Sequence, residues 1–183
     1  MGEIDEGLER VLHTRPVPQS TAARVRFLVR AAKGSTRQVA QQLGVSQRTV
    51  QRWLKDPHVR PKPAALQAIE QAVRAGWQPR VRARVRRAAE SGGFMLHTSA
   101  RFGFASAAGS TDDPRLRQIT QHLPGEVARR LFAARDAGAD EAQQADILAE
   151  GLQEAYFRDA GRRASGLAVE FTGIQWADFE IDR

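Results

Sequence analysis

The stretch Ala-Gly-Ser-Thr-Asp-Asp-Pro-Arg at 108–115 places two hydroxyls, Ser110 and Thr111, directly before two carboxylates, Asp112 and Asp113. Two readings follow from these residue types. Asp113 as N-cap and Pro114 as first helical residue make a good start for a short helix. Alternatively, Thr111 is a hydroxyl presented on an exposed loop for group transfer. Asp112 or Asp113 would then orient it or approach a metal ion brought by a partner enzyme. The residues alone leave both readings open.

The rest of the chain offers little competing chemistry. There are no cysteines, and His13, His58, His97 and His122 are scattered without metal-ligand spacing. No Walker loop, dinucleotide fingerprint or nucleophile elbow is present. The lone tyrosine, Tyr156, raises a DNA-strand transferase with a tyrosine nucleophile. Leu148, Leu152, Ala155 and Tyr156 fall at helical spacing, which favours core packing instead.

The elements that would hold such a loop are legible in part. Helices are expected over 21–32, 36–43, 46–55, 63–76 and 78–90, set off by Gly, Ser and Pro breakers. After Ser91-Gly92-Gly93 the pattern changes. Short apolar runs at 93–98 and 100–106 suggest strands. Two amphipathic helices are expected at 124–138 and 140–160, and one or two closing strands over 166–181. The expected fold class is α+β: an N-terminal helical helix-turn-helix domain followed by a smaller mixed α+β C-terminal domain. The boundaries expected are an N-terminal arm at 1–20, the helical domain at 21–91 and the α+β domain at 92–183.

The most specific motif is Thr36–Asp56, TRQVAQQLGVSQRTVQRWLKD. Ala40 is small where a second helix must cross closely, and Gly44 permits a left-handed turn. Val39, Leu43, Val45, Val50 and Trp53 or Leu54 supply the locking contacts. The second helix then turns Gln47, Arg48, Thr49, Gln51, Arg52 and Lys55 outward. Gln47, Arg48 and Gln51 suit base edges, and Thr49, Arg52 and Lys55 suit phosphates. Further on, Val81, Val85 and Ala88 make a narrow apolar stripe, and Arg80, Arg82, Arg84, Arg86 and Arg87 cover the remaining face. DNA backbone contact and a solvated surface helix both remain open there.

Charge agrees with a polyanionic partner. The chain has 183 residues, 42% of them hydrophobic, and a net charge of +7. Residues 1–92 carry 18 Lys and Arg against 7 Asp and Glu, whereas 93–183 carry 10 against 14. A basic front half favours nucleic acid through steering and counterion release. No signal-peptide core lies in the first 30 residues, and no apolar run approaches the roughly 20 residues of a membrane helix. The expectation is a cytoplasmic, nucleoid-associated protein with no membrane contact.

Several blocks resemble the telomere terminal proteins of linear Streptomyces chromosomes and plasmids. They are RPVPQS, RVRFLV, VAQQLGVSQRTVQRWLKD, GWQPRVRARVRRAA, ARFGFASAAGSTDDPRLRQIT, AEGLQEAYFRDAGRRASGL and FTGIQWADFEID, in order along nearly the whole chain. The resemblance implies a DNA-binding protein that becomes covalently joined to the 5′ ends of linear DNA and primes end-patching synthesis. A threonine after ARFGF takes the first deoxynucleotide, and its counterpart is Thr111. Ser110 is the runner-up and Thr120 a distant third. Residues 92–183 would then be a priming and protein-docking domain. The protein would be the substrate of a DNA polymerase rather than an enzyme, with no cofactor of its own. Mg2+ or Mn2+ and the dNTP would belong to the polymerase. Telomeric DNA ends, the polymerase, a telomere-associated protein and a second copy of the chain are the implied partners. A helix-turn-helix transcription regulator is the alternative, and a strand transferase using Tyr156 the third.

Overall fold

In the computed structural model, the described residues are 2–56, 58–105, 111–157 and 168–182. For 103–105, 111–114, 156–157 and 168–170, only the backbone is described. The described chain runs α1 (Glu3–Val11), α2 (Thr21–Ala31), α3 (Thr36–Gln42), α4 (Gln47–Lys55), α5 (Pro63–Gly76), α6 (Pro79–Gly92), β1 (Phe94–Ala105), β2 (Thr111–Leu123), α7 (Gly125–Asp136), α8 (Glu141–Leu152), a π-helical turn (Gln153–Phe157) and β3 (Ala168–Glu180). The fold class is α+β, helices with a three-stranded antiparallel sheet in the order β2-β1-β3.

Two units form. One comprises Arg15–Pro79; the other joins Met1–Thr14 to Arg80–Arg183. The boundary therefore falls at Arg80 rather than near residue 91, and the sheet-bearing unit is the larger one, not the smaller one expected. The reason is non-local packing of two segments assigned elsewhere by sequence. The first is 1–14, which is no free arm. Ile4, Leu8 and Val11 of α1, with Leu12 at its C-cap, enter the core of the sheet unit. Glu141 of α8 accepts from the Ile4 N–H at 2.8 Å, capping α1 from outside. Gly7 lies so close to β3 that a Cβ there would stand 2.1 Å from the Ala177 carbonyl oxygen. The second is α6, whose Val85 and Ala89 are fully buried in the same core.

The helical unit is built on α2 to α5. Ser20, Ser35 and Ser46 cap α2, α3 and α4 by accepting from the backbone N–H three residues on. Val25, Leu28, Val39, Ala40, Leu43, Val50, Trp53, Ile69 and Val73 form its separate core. Such a core is small, so each large side chain in it carries a sizeable share of the stability.

In the sheet unit, Leu96, Ala100, Phe102, Ala177 and Phe179 share one core with residues of α1, α6, α7 and α8. Phe102 stacks on Phe171 directly across from it, with ring centroids 5.1 Å apart. A β1–β2 hairpin replaces the short helix expected at Pro114: β2 runs unbroken from Thr111, paired with Ala105, to Leu123, paired with Phe94. The Asp113-Pro114 helix start fails because pairing with β1 overrides the local capping preference. Proline is tolerated because β2 is an edge strand and the register shifts between Phe102 and Phe104, a bulge of β2 that holds Asp113 and Pro114 against the single residue Gly103.

Candidate nucleic-acid interface

α3 and α4 meet through the four residues 43–46. Gly44 takes φ +65°, where a side chain would be strained. The Val45 N–H donates to the Ala40 carbonyl at 3.0 Å, closing the turn. Ala40, 4% exposed, gives the close approach its size demands. Val39 and Val50 are fully buried, and Trp53 rather than Leu54 fills the deep position. The apolar side of α4 is thereby fixed, which decides what it turns outward.

Arg48, Gln51, Arg52 and Lys55 are exposed and have no side-chain partner among the described residues. With Ser46, Thr49 and Asp56 they line one shallow concavity. Two of the predicted contact residues are otherwise engaged. Gln47 Nε2 donates to Thr36 Oγ1 at 2.9 Å, tying α4 to α3. The Thr49 hydroxyl lies 2.8 Å from Ser46 Oγ, inside the cap. In the free protein, Arg48, Gln51, Arg52 and Lys55 are therefore the members of the expected contact set left open on α4.

The arginine helix α6 divides into two sets. Arg80, Arg84 and Arg87, spaced i, i+4 and i+7, are exposed on one side without partners among the described residues. Arg82 and Arg86, the other two of the expected phosphate-contacting set, are instead held by carboxylates of the protein. Arg82 pairs with Glu9 at 3.6 Å. Arg86 donates to Glu90 at 2.7 Å and to Asp136 at 2.5 Å, and its guanidinium lies 5.2 Å from the Phe132 ring centre. Hydrogen bonds first to Glu90 and then to Asp136 raise its pKa above the usual arginine value.

Ser110 lies outside the described residues. Thr111, Asp112 and Asp113 are described by backbone alone, at the end of the hairpin where β1 and β2 are connected. Thr120 is mid-strand, its Oγ1 3.0 Å from His97 Nδ1 across the sheet. Glu180 Oε2 stands 3.5 Å from the other ring nitrogen. A carboxylate, imidazole and hydroxyl in that order suggest an activated nucleophile, a grouping that only strand register brings together and that no sequence spacing announces. The outer contact is too long to orient the ring, and Glu180 is 73% exposed, so the trio is a cross-strand polar ladder. Tyr156 lies in the π-helical turn, with its side chain outside the described residues. Among the described residues no three His, Asp or Glu are arranged to hold a metal ion.

A cationic second helix held outward by a tight turn defines a helix-turn-helix DNA-binding domain. Residues 18–57 match the family model of a Homeodomain-like domain, a stretch well under half the chain. No curated protein and no solved structure is significantly similar to the chain. No helix among the described residues is long and apolar enough to cross a membrane.

Proposed function

We propose that this DNA-binding protein is a terminal protein: it holds duplex DNA through α4 and offers Thr111 as the hydroxyl on which a polymerase starts a strand. The observation that carries this reading is the β1–β2 hairpin. With β2 beginning at Thr111, the acidic pair caps no helix, and the Thr111 backbone stands next to the connection between two long strands. The bulge of β2 at Asp113 and Pro114 is of a kind common beside functional sites.

In the reaction, Thr111 Oγ1 attacks the α-phosphate of a deoxynucleoside triphosphate. The new P–O bond forms as the bond to the β-phosphate oxygen breaks. Pyrophosphate leaves, and the hydroxyl proton passes to a base in the polymerase site. The polymerase supplies the nucleotide pocket and the Mg2+ or Mn2+ ions that span the phosphates. This chain acts as the substrate, and a telomere-associated protein brings it to the DNA end. Incubation with both partners, labelled dNTP and either metal should label the wild type. Thr111→Ala should lose the label and Thr111→Ser keep part of it, because the oxygen survives. Undiminished labelling of Thr111→Ala would contradict the role.

A transcription regulator is the second reading, favoured by the match over 18–57. It requires a footprint with two half-sites about one helical turn apart.

A further inference from the structure

Two carboxylates serve the whole of Arg15–Pro79, Asp56 and Glu70. Glu70 holds Arg24. Asp56, the C-cap of α4, is turned to the backbone and accepts from the His58 N–H at 2.9 Å. The connection that follows leads to α5 and carries two cations that the helix-turn-helix does not use. Arg60 and Lys62 are exposed and have no side-chain partner among the described residues. The residues beside them anchor the segment: Val59 packs against the core of the unit, and Pro61 is half-buried. Arg60 and Lys62 each precede a proline, which pushes both toward extended backbone, and Lys62 takes φ −62° and ψ 156°. Pro61 fixes its own φ at about −65°. The two cations are therefore held out from an extended rod whose shape is set before anything binds.

We propose that the segment 58–62 enters the minor groove of duplex DNA beside the major groove that α4 occupies, and that Arg60 and Lys62 select A·T pairs there. The proposal rests on duplex binding by α4 and is independent of priming at Thr111. Asp56 lines the same concavity as Arg48, Gln51, Arg52 and Lys55, so the segment starts at the edge of the α4 surface. Arg60 lies four residues further on, a reach of up to about 14 Å. That is enough to pass the phosphates bordering a major groove about 12 Å wide. An α-helix about 10 Å across is too broad for a minor groove about 6 Å wide, whereas an extended chain fits. A narrow A·T minor groove concentrates negative potential and draws in Arg and Lys. Pro61 has no N–H to lose its water in the groove, and a backbone already fixed loses little entropy on binding.

The test selects binding sites for the full chain from a pool of duplexes of randomised sequence. The wild type should enrich a central motif with A·T pairs on one flank. Arg60→Ala with Lys62→Ala should enrich the same central motif, which shows that the variant is folded, and lose the flank preference. Affinity is then measured on the selected duplex with the flank as A·T, G·C or inosine·C. Inosine lacks the minor-groove amine of guanine and matches it in the major groove. The wild type should bind the A·T and inosine·C flanks within about twofold of each other and the G·C flank about tenfold more weakly. The double alanine variant should bind all three alike, about tenfold below the wild type on A·T. Arg60→Lys with Lys62→Arg keeps both charges and should retain most of the preference. A central motif without a flank preference in the wild type would overturn the proposal and leave α4 binding intact. Inosine·C binding as weakly as G·C would overturn it too, by placing the contact in the major groove. So would a loss in the double alanine variant that is equal on every flank, which leaves the cations on phosphates alone.

Discussion

The two units handle positive charge in opposite ways. Arg15–Pro79 holds twelve Lys and Arg against two Asp and Glu, a net +10, so its cations have almost nothing to pair with. Arg24 with Glu70 is its ion pair among the described residues. The sheet unit holds sixteen against nineteen, a net −3, and half of its described arginines are held by the unit's own carboxylates. Arginine-rich sequence thus means two things in one chain. In α4 the absence of carboxylates leaves the guanidiniums for an external anion. In α6 two guanidiniums are taken by Glu9, Glu90 and Asp136, and only the opposite side remains open. Composition counts arginines; the acidic residues brought near by the fold decide what they do.

The harshest way to break the comparison is to remove one unit's core. Trp53 is 3% exposed, and Trp53→Ala should cost about 3–5 kcal/mol, comparable to the whole stability of so small a unit. Hydrogen exchange should then show amides of α2 to α5 unprotected and those of β1 still protected, with duplex binding gone. Protection lost equally in both units would mean they do not fold on separate cores.

Next comes the contrast between open and paired cations. Arg48→Ala with Arg52→Ala should lower duplex affinity by about tenfold to several hundredfold and flatten its salt dependence. Arg82→Ala should leave both unchanged. A stability measurement reverses the order: Arg86→Ala should lower the midpoint of the sheet unit by the equivalent of about 1–2 kcal/mol, through lost hydrogen bonds and the Phe132 contact. Arg87→Ala should leave stability where it is.

The smallest effect is acidification of the network under α1. His13 is held below its usual 6.5 by burial, which outweighs the carboxylate and carbonyl of Glu9. Burial pushes Glu9 up, but the hydrogen bond and charge of Arg135, with Arg82 and His13, leave it below 4.5. In both cases the unfolded chain takes the proton first. Stability should therefore fall as pH drops below about 6.5, and fall again below about 4.5 as Glu9 is protonated. Thermal melts across that range should show two steps, and His13→Gln should remove the first.

The helix-turn-helix was legible because its rules are local. Ala40, Gly44, Ser46 and the apolar spacing all fall within about twenty residues and point to one geometry. α1 was missed although Ile4, Leu8, Val11 and Leu12 carry a helical stripe, because the partners that bury it come from β3, α7 and α8 at the far end of the chain. β2 was misread for a physical reason: Asp113-Pro114 has strong capping chemistry, and Leu116 faces outward, so the strand lacks clean alternation. Only pairing with β1 makes it a strand. The split of α6 was equally hidden, since Glu9 and Asp136 are distant in sequence from the arginines they hold.

Mass spectrometry of protein recovered from its native DNA tests the central claim most directly. After nuclease and trypsin, the peptide 102–115, bounded by Arg101 and Arg115, should carry one nucleotide, and fragmentation should assign it to Thr111. A nucleotide on a peptide containing Tyr156, or on none, would contradict the account and leave a protein that binds DNA through α4 without becoming part of it.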